Sequence, residues 1–247
     1  MSETVLRKQS NGVVLSLLAA NHGLHHAFGN RNLADTKNLA RALDQEGAGV
    51  VSVRQVHGDA VLVLDRPAGN GAAVQKKNSQ GYDALVTDQL GVILTVRTAD
   101  CLPVLIFDPD QRVIAAVHAG WRGAIQEIVP KTLRCMMDRF SCRPSAVIVG
   151  IGPSIQACCY EVGEMVLAPL AARYPYWQEV IKKSGEGKAM LNLQALIRRQ
   201  LLELAVPAGQ IETAETCTAC NPAHYFSYRR DGKQTGSMWS GLVMEKV

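Results

Sequence analysis

The hydrophobic pattern of this chain consists mainly of short apolar runs that alternate with turn-forming residues. Two runs, 101–107 and 113–117, flank the segment DPDQ, whose composition is typical of a turn. Their richness in Val, Ile and Leu predicts two neighbouring strands that are buried on both faces. The first run begins with Cys101 and His118 follows the second, so a thiol and an imidazole should lie close together.

Further apolar runs predict the remaining strands. Residues 50–56 are expected to form a hairpin with 59–65, because Gly58 can turn the chain between them. The longest predicted loop is 66–81, which is rich in Gly and polar residues. The other predicted strands are 13–19, 82–87, 92–96, the start of 146–155, 211–214 and 238–244.

Helical spacing predicts four helices. Asp35 can cap a helix that ends near Leu43. A helix between Gly123 and Phe140 should kink or divide, because Pro130 lacks an amide hydrogen. The other predicted helices are 163–172 and 192–204. Strands and helices without regular βαβ spacing predict a single α+β domain over residues 1–247.

Composition narrows the class of protein. Of the 247 residues 47% are hydrophobic, and a mean hydropathy of +0.02 is ordinary for a globular protein. A net charge of +4 is too small to predict a nucleic-acid partner. No apolar run reaches the roughly 20 residues that span a bilayer, and no signal-peptide centre is evident. We expect a cytoplasmic protein with no membrane association and no obligate protein partner.

Three side chains that can bind metals are predicted near strand ends, namely His57, Cys101 and His118. Structural zinc sites usually take four ligands, whereas three ligands from distant strands leave a position for water or substrate. Asp100 and Arg97 beside the thiol strengthen this interpretation, because a carboxylate can orient a metal-bound imidazole. The pattern predicts a catalytic zinc site.

Two simpler interpretations stay open for the same residues. A single Cys or His at a strand end is most often part of the packing. Alternatively, His118 could generate the thiolate of Cys101, which would make these two residues a nucleophilic pair without a metal.

Six ordered motifs resemble one protein family. Together they are similar to the laccase-domain family, whose members are described as multicopper polyphenol oxidases, purine nucleoside phosphorylases or peptidoglycan-editing factors. The combination of TADC with HAGWRG is highly specific. The motifs are RQVHG (54–58), ADCLPVL (99–105), HAGWRG (118–123), IGPSI (151–155), CYEVG (159–163) and FSYRRDG (226–232).

The resemblance implies a four-layer αββα domain with mixed sheets and a zinc ion bound by His57, Cys101 and His118. It also implies phosphorolysis of adenosine, inosine and methylthioadenosine, with adenosine deamination in the same pocket, so nucleoside and phosphate are the expected partners. Copper could occupy the site because its intrinsic affinity exceeds that of zinc. Six histidines are too few for a multicopper oxidase.

This chemistry assigns further residues to the site. Phosphate should bind to Arg122, Arg229 and Arg31, because a guanidinium can donate two hydrogen bonds to it. Gln55 and Tyr160 are further candidates for substrate binding, Tyr160 by stacking on the base. A carboxylate must also transfer protons in deamination, and Asp100, Asp83 and Glu161 are the candidates. The predicted catalytic residues are Asp100, Cys101, His118 and Arg122.

Other activities stay open. A peptidoglycan-editing amidase would hydrolyse UDP-muramyl-L-serine with Cys101 or zinc-bound water as the nucleophile, and a copper-loaded protein could oxidise polyphenols. A non-catalytic module would keep the metal for structure. The family often continues its last motif to TGR, whereas this chain has Thr235-Gly236-Ser237. If that Arg anchors an anion, substrate preference would differ here.

The remaining cysteines and one histidine are ambiguous. Cys217 and Cys220 have the spacing of a metal or redox pair, but no partner pair is evident, so packing is the preferred interpretation. Cys158 and Cys159 adjoin the CYEVG motif. His26 is a candidate for the pocket wall, because HAF resembles the HGF of the family.

Overall fold

The computed structural model describes residues 7–9, 12–64 and 81–246. The predicted loop 66–81 lies outside the described residues apart from Gly81. The strands are β1 (Arg7–Gln9), β2 (Gly12–Val14), β3 (Leu24–Ala27), β4 (Gly49–Val51), β5 (Val61–Leu64), β6 (Ala84–Thr87), β7 (Val92–Thr98), β8 (Leu102–Asp108), β9 (Val113–Ala119), β10 (Ile148–Ile151), β11 (Glu161–Val162), β12 (Ile181–Gly185), β13 (Lys188–Leu191), β14 (Ile211–Thr213) and β15 (Met238–Met244). The helices are α1 (Ser16–Ala19), α2 (Thr36–Ala42), α3 (Trp121–Ile125), α4 (Ile128–Phe140), α5 (Glu164–Arg173), α6 (Leu193–Glu203) and α7 (Tyr228–Asp231).

Two mixed sheets pack face to face at the centre of the protein. The larger sheet has the strand order β14-β10-β8-β9-β6-β5, and the smaller sheet has the order β3-β15-β7-β4. Side chains alternate along a strand, so Leu105 and Phe107 of β8 point between the sheets, where Leu94 and Val96 of β7 also lie. A small sheet, β11-β13-β12, and the β1-β2 ribbon lie outside this pair.

Helices cover the outer face of each sheet. Val104 and Ile106, on the other side of β8, belong to a core that includes residues of α3, α4, α5 and α6. On the far side of the smaller sheet, Leu39 of α2 packs with Ile93 and Val243. The layers therefore run helix, sheet, sheet, helix, which confirms the α+β class and the αββα arrangement. Within the described ranges, no helix combines the length and apolar content needed to cross a membrane.

Several predicted elements are confirmed. Strands β8 and β9 pair antiparallel, with Pro103 opposite His118. Asp35 caps α2 by accepting the amide of Asn38 at 2.8 Å. The helix predicted between 123 and 140 divides into α3 and α4, but the break precedes Pro130. It lies at Glu127, whose φ is 65°, and the proline occupies the first turn of α4, where an amide has no helical partner.

The predicted strand 13–19 is wrong beyond β2. Its second half forms α1, with Leu15 and Leu18 buried three residues apart, as helical spacing requires. The amides of Ser16 and Leu17 donate to the carboxylate of Glu212 at 3.1 and 2.7 Å. A distant acidic side chain thus stabilises a helix where the local pattern favours a strand.

The predicted hairpin of 50–56 with 59–65 is also wrong. Strand β4 is short and pairs in parallel with β7 of the smaller sheet, whereas β5 pairs in parallel with β6 of the larger sheet. Residues 52–60 therefore cross from one sheet to the other. A second crossing, at 99–101, connects β7 to β8, and there Asp100 has a φ of 86°. The candidate site lies where these crossings meet.

Candidate metal centre and active-site cavity

Three side chains converge at the two crossings. The ligand atoms of His57, Cys101 and His118 lie within 4.8 Å of one another. The two imidazole rings meet edge to face, with their centroids 4.8 Å apart. His118 is buried, Cys101 is partly exposed and His57 is exposed. These three residues can hold a metal ion, and the exposed side gives a substrate access to it.

A buried carboxylate holds two of these side chains in place. Asp83, directly before β6, accepts the amides of Val56, His57 and Gly58 at 3.2, 3.0 and 2.7 Å. It also lies 2.7 Å from Nδ1 of His118, which leaves Nε2 of that ring for a metal. Val56, at the end of the predicted strand 50–56, thus bonds to this carboxylate instead of to a neighbouring strand. Asp83 therefore orients ligands, a role that the sequence does not separate from proton transfer.

The charges of the site favour a thiolate. Burial works to raise the pKa of Cys101, but the charges of His118 and His57 and hydrogen bonds from both rings lower it to about 6. Burial works to lower the pKa of His118, but Cys101 and Asp83 raise it to about 9. Burial likewise opposes ionisation of Asp83, yet hydrogen bonds from His118 and backbone amides lower its pKa. A thiolate is the form that binds metals.

Gly120, the first glycine of HAGWRG, leaves the space that the three side chains occupy. A Cβ atom on Gly120 would lie 3.0 Å from Cδ2 of His57 and 3.2 Å from Sγ of Cys101. Ordinary contacts of such atoms are longer, so any other residue would displace both side chains. Two imidazoles, one thiol, an orienting carboxylate and this clearance together fit a zinc ion with three protein ligands.

A cavity of about 650 Å³ opens beside the three side chains. Its wall includes the predicted substrate-binding residues Gln55, Tyr160 and Arg229, and the predicted catalytic residues Asp100 and Arg122. Burial raises the pKa of Tyr160, which keeps its hydroxyl protonated. The structure thus places most of the predicted site residues around one cavity.

The three predicted phosphate-binding arginines differ in position. Arg122 lies on the cavity wall with Cζ 4.7 Å from the centroid of its neighbour Trp121. Arg229 also lines the cavity and donates to the carbonyls of Cys159 and Glu161 at 3.2 and 2.9 Å. Arg31 does not line it. There Nε donates to Pro222 O at 2.7 Å and Cζ stacks 4.2 Å from the ring centroid of Phe226.

Asp100 connects several segments of the chain through hydrogen bonds. Its carboxylate accepts the hydroxyl of Thr218 at 2.6 Å, the hydroxyl of Ser227 at 3.0 Å and the amide of Arg229 at 2.7 Å. These bonds tie the second sheet crossing to two loops beside the cavity. The three donors satisfy this buried carboxylate with hydrogen bonds from the chain itself. The geometry favours a positioning role for Asp100 over the predicted catalytic one.

Two other predicted residues are engaged by their neighbours. The amide group of Gln55 donates to Arg97 O at 2.7 Å and accepts Arg97 N at 2.8 Å, which fixes the segment before His57 against β7. Glu161 accepts Ser184 Oγ at 3.0 Å and pairs with Lys188 at 3.3 Å, and its side chain does not line the cavity. Its position does not favour proton transfer at the metal centre.

His26 lies outside the cavity. It is buried, and its Nε2 accepts the amide of Leu15 at 3.0 Å, so its role is structural. The interpretation of Cys217 and Cys220 as a pair without a partner is wrong. Cys158 and Cys159 lie beside them, and all four sulfur atoms are within 4.8 Å of one another. Each pair is visible in the sequence, but only folding brings the two pairs together.

Comparisons with known proteins agree with the fold and the motifs. A family model described as multi-copper polyphenol oxidoreductase laccase matches residues 10–245. A purine nucleoside phosphorylase of Bacteroides thetaiotaomicron is 35% identical over 198 residues, which cover 80% of this chain and 73% of that protein. Adenosine deaminase RL5, from an unknown prokaryotic organism, is 34% identical over 210 residues, which cover 83% of this chain and 78% of RL5.

The fold also agrees with a solved structure. YlmD from Geobacillus stearothermophilus is 25% identical and superposes with a TM-score of 0.85, covering 98% of this chain and 100% of that one. The family model covers nearly the whole chain, and both relatives exceed 30% identity over most of their own length. The resemblance of the six motifs is confirmed, and the chain belongs to the multi-copper polyphenol oxidoreductase laccase family.

Proposed function

We propose that this protein is a zinc-dependent purine nucleoside phosphorylase that also deaminates adenosine. The observation that carries the proposal is the single cavity shared by the His57–Cys101–His118 group, Arg122, Arg229 and Tyr160. Its volume of about 650 Å³ suits a small molecule. The relatives named purine nucleoside phosphorylase and adenosine deaminase support both activities.

The proposed phosphate site is the part of the cavity near Arg122 and Arg229. Within the described part of the chain, the guanidinium of Arg122 stacks on Trp121 and makes no hydrogen bond, so its donors are available. Arg229 uses two donors on backbone carbonyls and keeps its positive charge beside the cavity. Two guanidinium groups can bind phosphate and offset its charge next to the ribose.

The other residues hold and orient the reacting groups. We assign contact with the purine to the ring of Tyr160, which lines the cavity and has Cζ of Arg229 5.3 Å from its centroid. Asp83 keeps the Nε2 lone pair of His118 directed away from its own carboxylate. Zinc bound by His57, Cys101 and His118 would supply a Lewis acid for phosphorolysis and for deamination. Asp100 fixes the loop of Arg229 through its backbone amide. Arg31 would act outside this cavity, and we do not include it in the phosphate site.

Product analysis tests this proposal. Purified protein is incubated with inosine or adenosine, with and without phosphate, and the products are separated by chromatography. We expect free hypoxanthine or adenine only when phosphate is present, and inosine from adenosine. Cys101→Ala should abolish both reactions, whereas Cys135→Ala, in a helix outside the cavity, should not. Turnover by zinc-free protein would contradict the role of the metal.

One observation favours a second candidate, hydrolysis of an amide such as that of UDP-muramyl-L-serine. Asp83, His118 and Cys101 follow one another as carboxylate, imidazole and thiol, with the pKa of the thiol lowered to about 6. Such a series can activate a nucleophile without a metal. Chelator-treated protein that still releases serine from this substrate, and is inactive on nucleosides, would establish the amidase. Copper loading followed by oxidation of a polyphenol tests the activity in the family's description.

A further inference from the structure

Four cysteines form a second group, which lies against the wall of the cavity. Cys158 and Cys159 lie in a turn after β10, and Cys217 and Cys220 precede α7. The sulfur atom of Cys220 lies 3.2 Å from that of Cys159 and 3.5 Å from that of Cys158. All four sulfur atoms lie within 4.8 Å of one another, and all four thiols are free.

This spacing matches one tetrahedral metal ion. Zinc–sulfur bonds of about 2.3 Å place the four sulfur atoms of a tetrahedron about 3.8 Å apart. Two of the sulfur–sulfur distances are 3.2 and 3.5 Å, and none exceeds 4.8 Å, so small shifts of the side chains would reach this value. A cluster of several iron atoms would hold its ligands farther apart, because the cluster is larger than one ion. The geometry therefore selects a mononuclear site.

The backbone brings the two pairs together before any ion binds. Cys217 bridges to Ser154, and the amide of Thr218 donates to Ser154 O at 3.0 Å. The amide of Gln156 donates to Sγ of Cys217 at 3.5 Å. Neighbouring residues of a strand point to opposite faces, but Cys158 and Cys159 lie in a turn that directs both sulfur atoms towards Cys220.

Positive charge adjoins the group. The guanidinium of Arg229 donates to the carbonyl of Cys159 at 3.2 Å. The guanidinium of Arg230 donates to the carbonyls of Thr218 and Ala219 at 3.1 Å each, inside the loop between the second pair of cysteines. A divalent ion with four thiolates carries two net negative charges, which nearby guanidinium groups help to offset.

We propose that Cys158, Cys159, Cys217 and Cys220 bind one zinc ion, separate from the centre at His57, Cys101 and His118. Binding releases the thiol protons to solvent and forms four zinc–sulfur bonds, without oxidation or reduction. The ion links the turn that leads into Tyr160 to the loop that leads into Arg229. It therefore fixes two parts of the cavity wall relative to each other.

The test counts zinc per chain by mass spectrometry after purification under reducing conditions. We expect two ions in the wild-type protein and one in His57→Ala/His118→Ala, which retains the four-cysteine site. Adding Cys220→Ser to that variant should remove the last ion, and Cys135→Ser should not. Cys220 is exposed, so its replacement by Ser should leave the fold intact. Circular dichroism checks the fold of each variant.

Cobalt gives a second readout in the His57→Ala/His118→Ala variant. Cobalt bound by several thiolates absorbs strongly through charge transfer from sulfur, and Cys220→Ser should weaken this absorption. A folded His57→Ala/His118→Ala protein without zinc would overturn the proposal. So would a wild-type protein, purified without reductant, in which fewer than seven thiols react after denaturation, because the four cysteines would then form disulfides.

Discussion

The two groups of metal-binding side chains are built on different parts of the fold. His57, Cys101 and His118 lie at strand ends and sheet crossings, and the fully buried Asp83 orients two of them. The four cysteines lie on turns, and Cys158 and Cys220 among them are exposed. The first group opens onto the cavity, whereas the second lies behind two segments of its wall. Strand ends hold the first group in the fixed geometry that catalysis needs, whereas the turns of the second group allow it to connect two loops.

The two groups also differ in how many other parts of the fold hold their side chains in position. The first group depends on the register of β8 and β9, on both crossings and on the clearance at Gly120. A substitution that alters any of these should displace its ligands. The second group needs two short turns, which the hydrogen bonds of Ser154 with Thr216 and Thr218 already hold together. We therefore expect damage to the first group to abolish activity and damage to the second to weaken it.

The largest expected contrast is between His118→Ala and Cys220→Ser. His118→Ala removes a ligand of the proposed catalytic zinc, which costs about 4 kcal/mol or more of transition-state stabilisation, or ~10³-fold in kcat/KM. Cys220→Ser should cost about tenfold at most, because the ion that it binds only positions the wall. Steady-state phosphorolysis of inosine measures both. Equal losses would contradict the division of roles.

A smaller effect is expected from Gly120→Ala. The new Cβ would press on His57 and Cys101, and a displacement of that kind can cost about 10²-fold in kcat. Gly209→Ala is the matched control, because nothing lies within 4 Å of a Cβ at that position. Kinetic assays and zinc counts compare the two. Full activity of Gly120→Ala would show that the three ligands do not need their present spacing.

Asp83→Asn should affect one metal centre and spare the other. The amide cannot accept all the hydrogen bonds of the carboxylate, so zinc affinity at His57–Cys101–His118 should fall about 10- to 100-fold. Asp108→Asn, a buried carboxylate at the other end of β8, serves as the control. Competition with a chelating dye measures this affinity in proteins that also carry Cys220→Ser, so that the four-cysteine site does not contribute. Unchanged affinity would remove Asp83 from the site.

The smallest effect on activity at neutral pH is expected from His26→Gln. At low pH this variant distinguishes two effects of acid, which are loss of the metal and loss of stability of the fold. Burial and the nearby His25 lower the pKa of His26 to about 4. Between pH 6.5 and 4 the unfolded chain therefore binds a proton that the folded chain does not. The free energy of unfolding should fall by up to about 3 kcal/mol as the pH drops through this window.

Urea unfolding at several pH values measures this dependence. His26→Gln should flatten it, since Gln does not titrate but can still accept the amide of Leu15. An unchanged slope in the variant would assign the acid sensitivity to other groups.

Local patterns predicted much of the sheet core and of the first metal group. Buried strands β8 and β9 follow from continuous apolar runs, and strand-end chemistry identified Cys101 and His118. The errors have one physical cause, which is competition from residues distant in sequence. Glu212 draws 16–19 into a helix, and Asp83 takes the amides of 56–58 out of any strand ladder.

The four-cysteine group shows the same limit. Each pair has a recognisable spacing, but Cys217 lies 58 positions after Cys159 in the chain, and no local signal joins them. The bridge between Ser154 and Cys217 does so only in the folded chain. The prediction of one domain over 1–247 and the cytoplasmic location stay predictions.

The two crossings between the sheets also have a mechanical consequence. His57 and Cys101 both lie on segments that pass from one sheet to the other, so the thickness of the apolar layer acts as a spacer for the metal ligands. Sheets pack about 10 Å apart, and Leu105 and Ile114 help to set that gap. A larger or smaller side chain at either position, remote from the cavity, would therefore change the distance between His57 and Cys101.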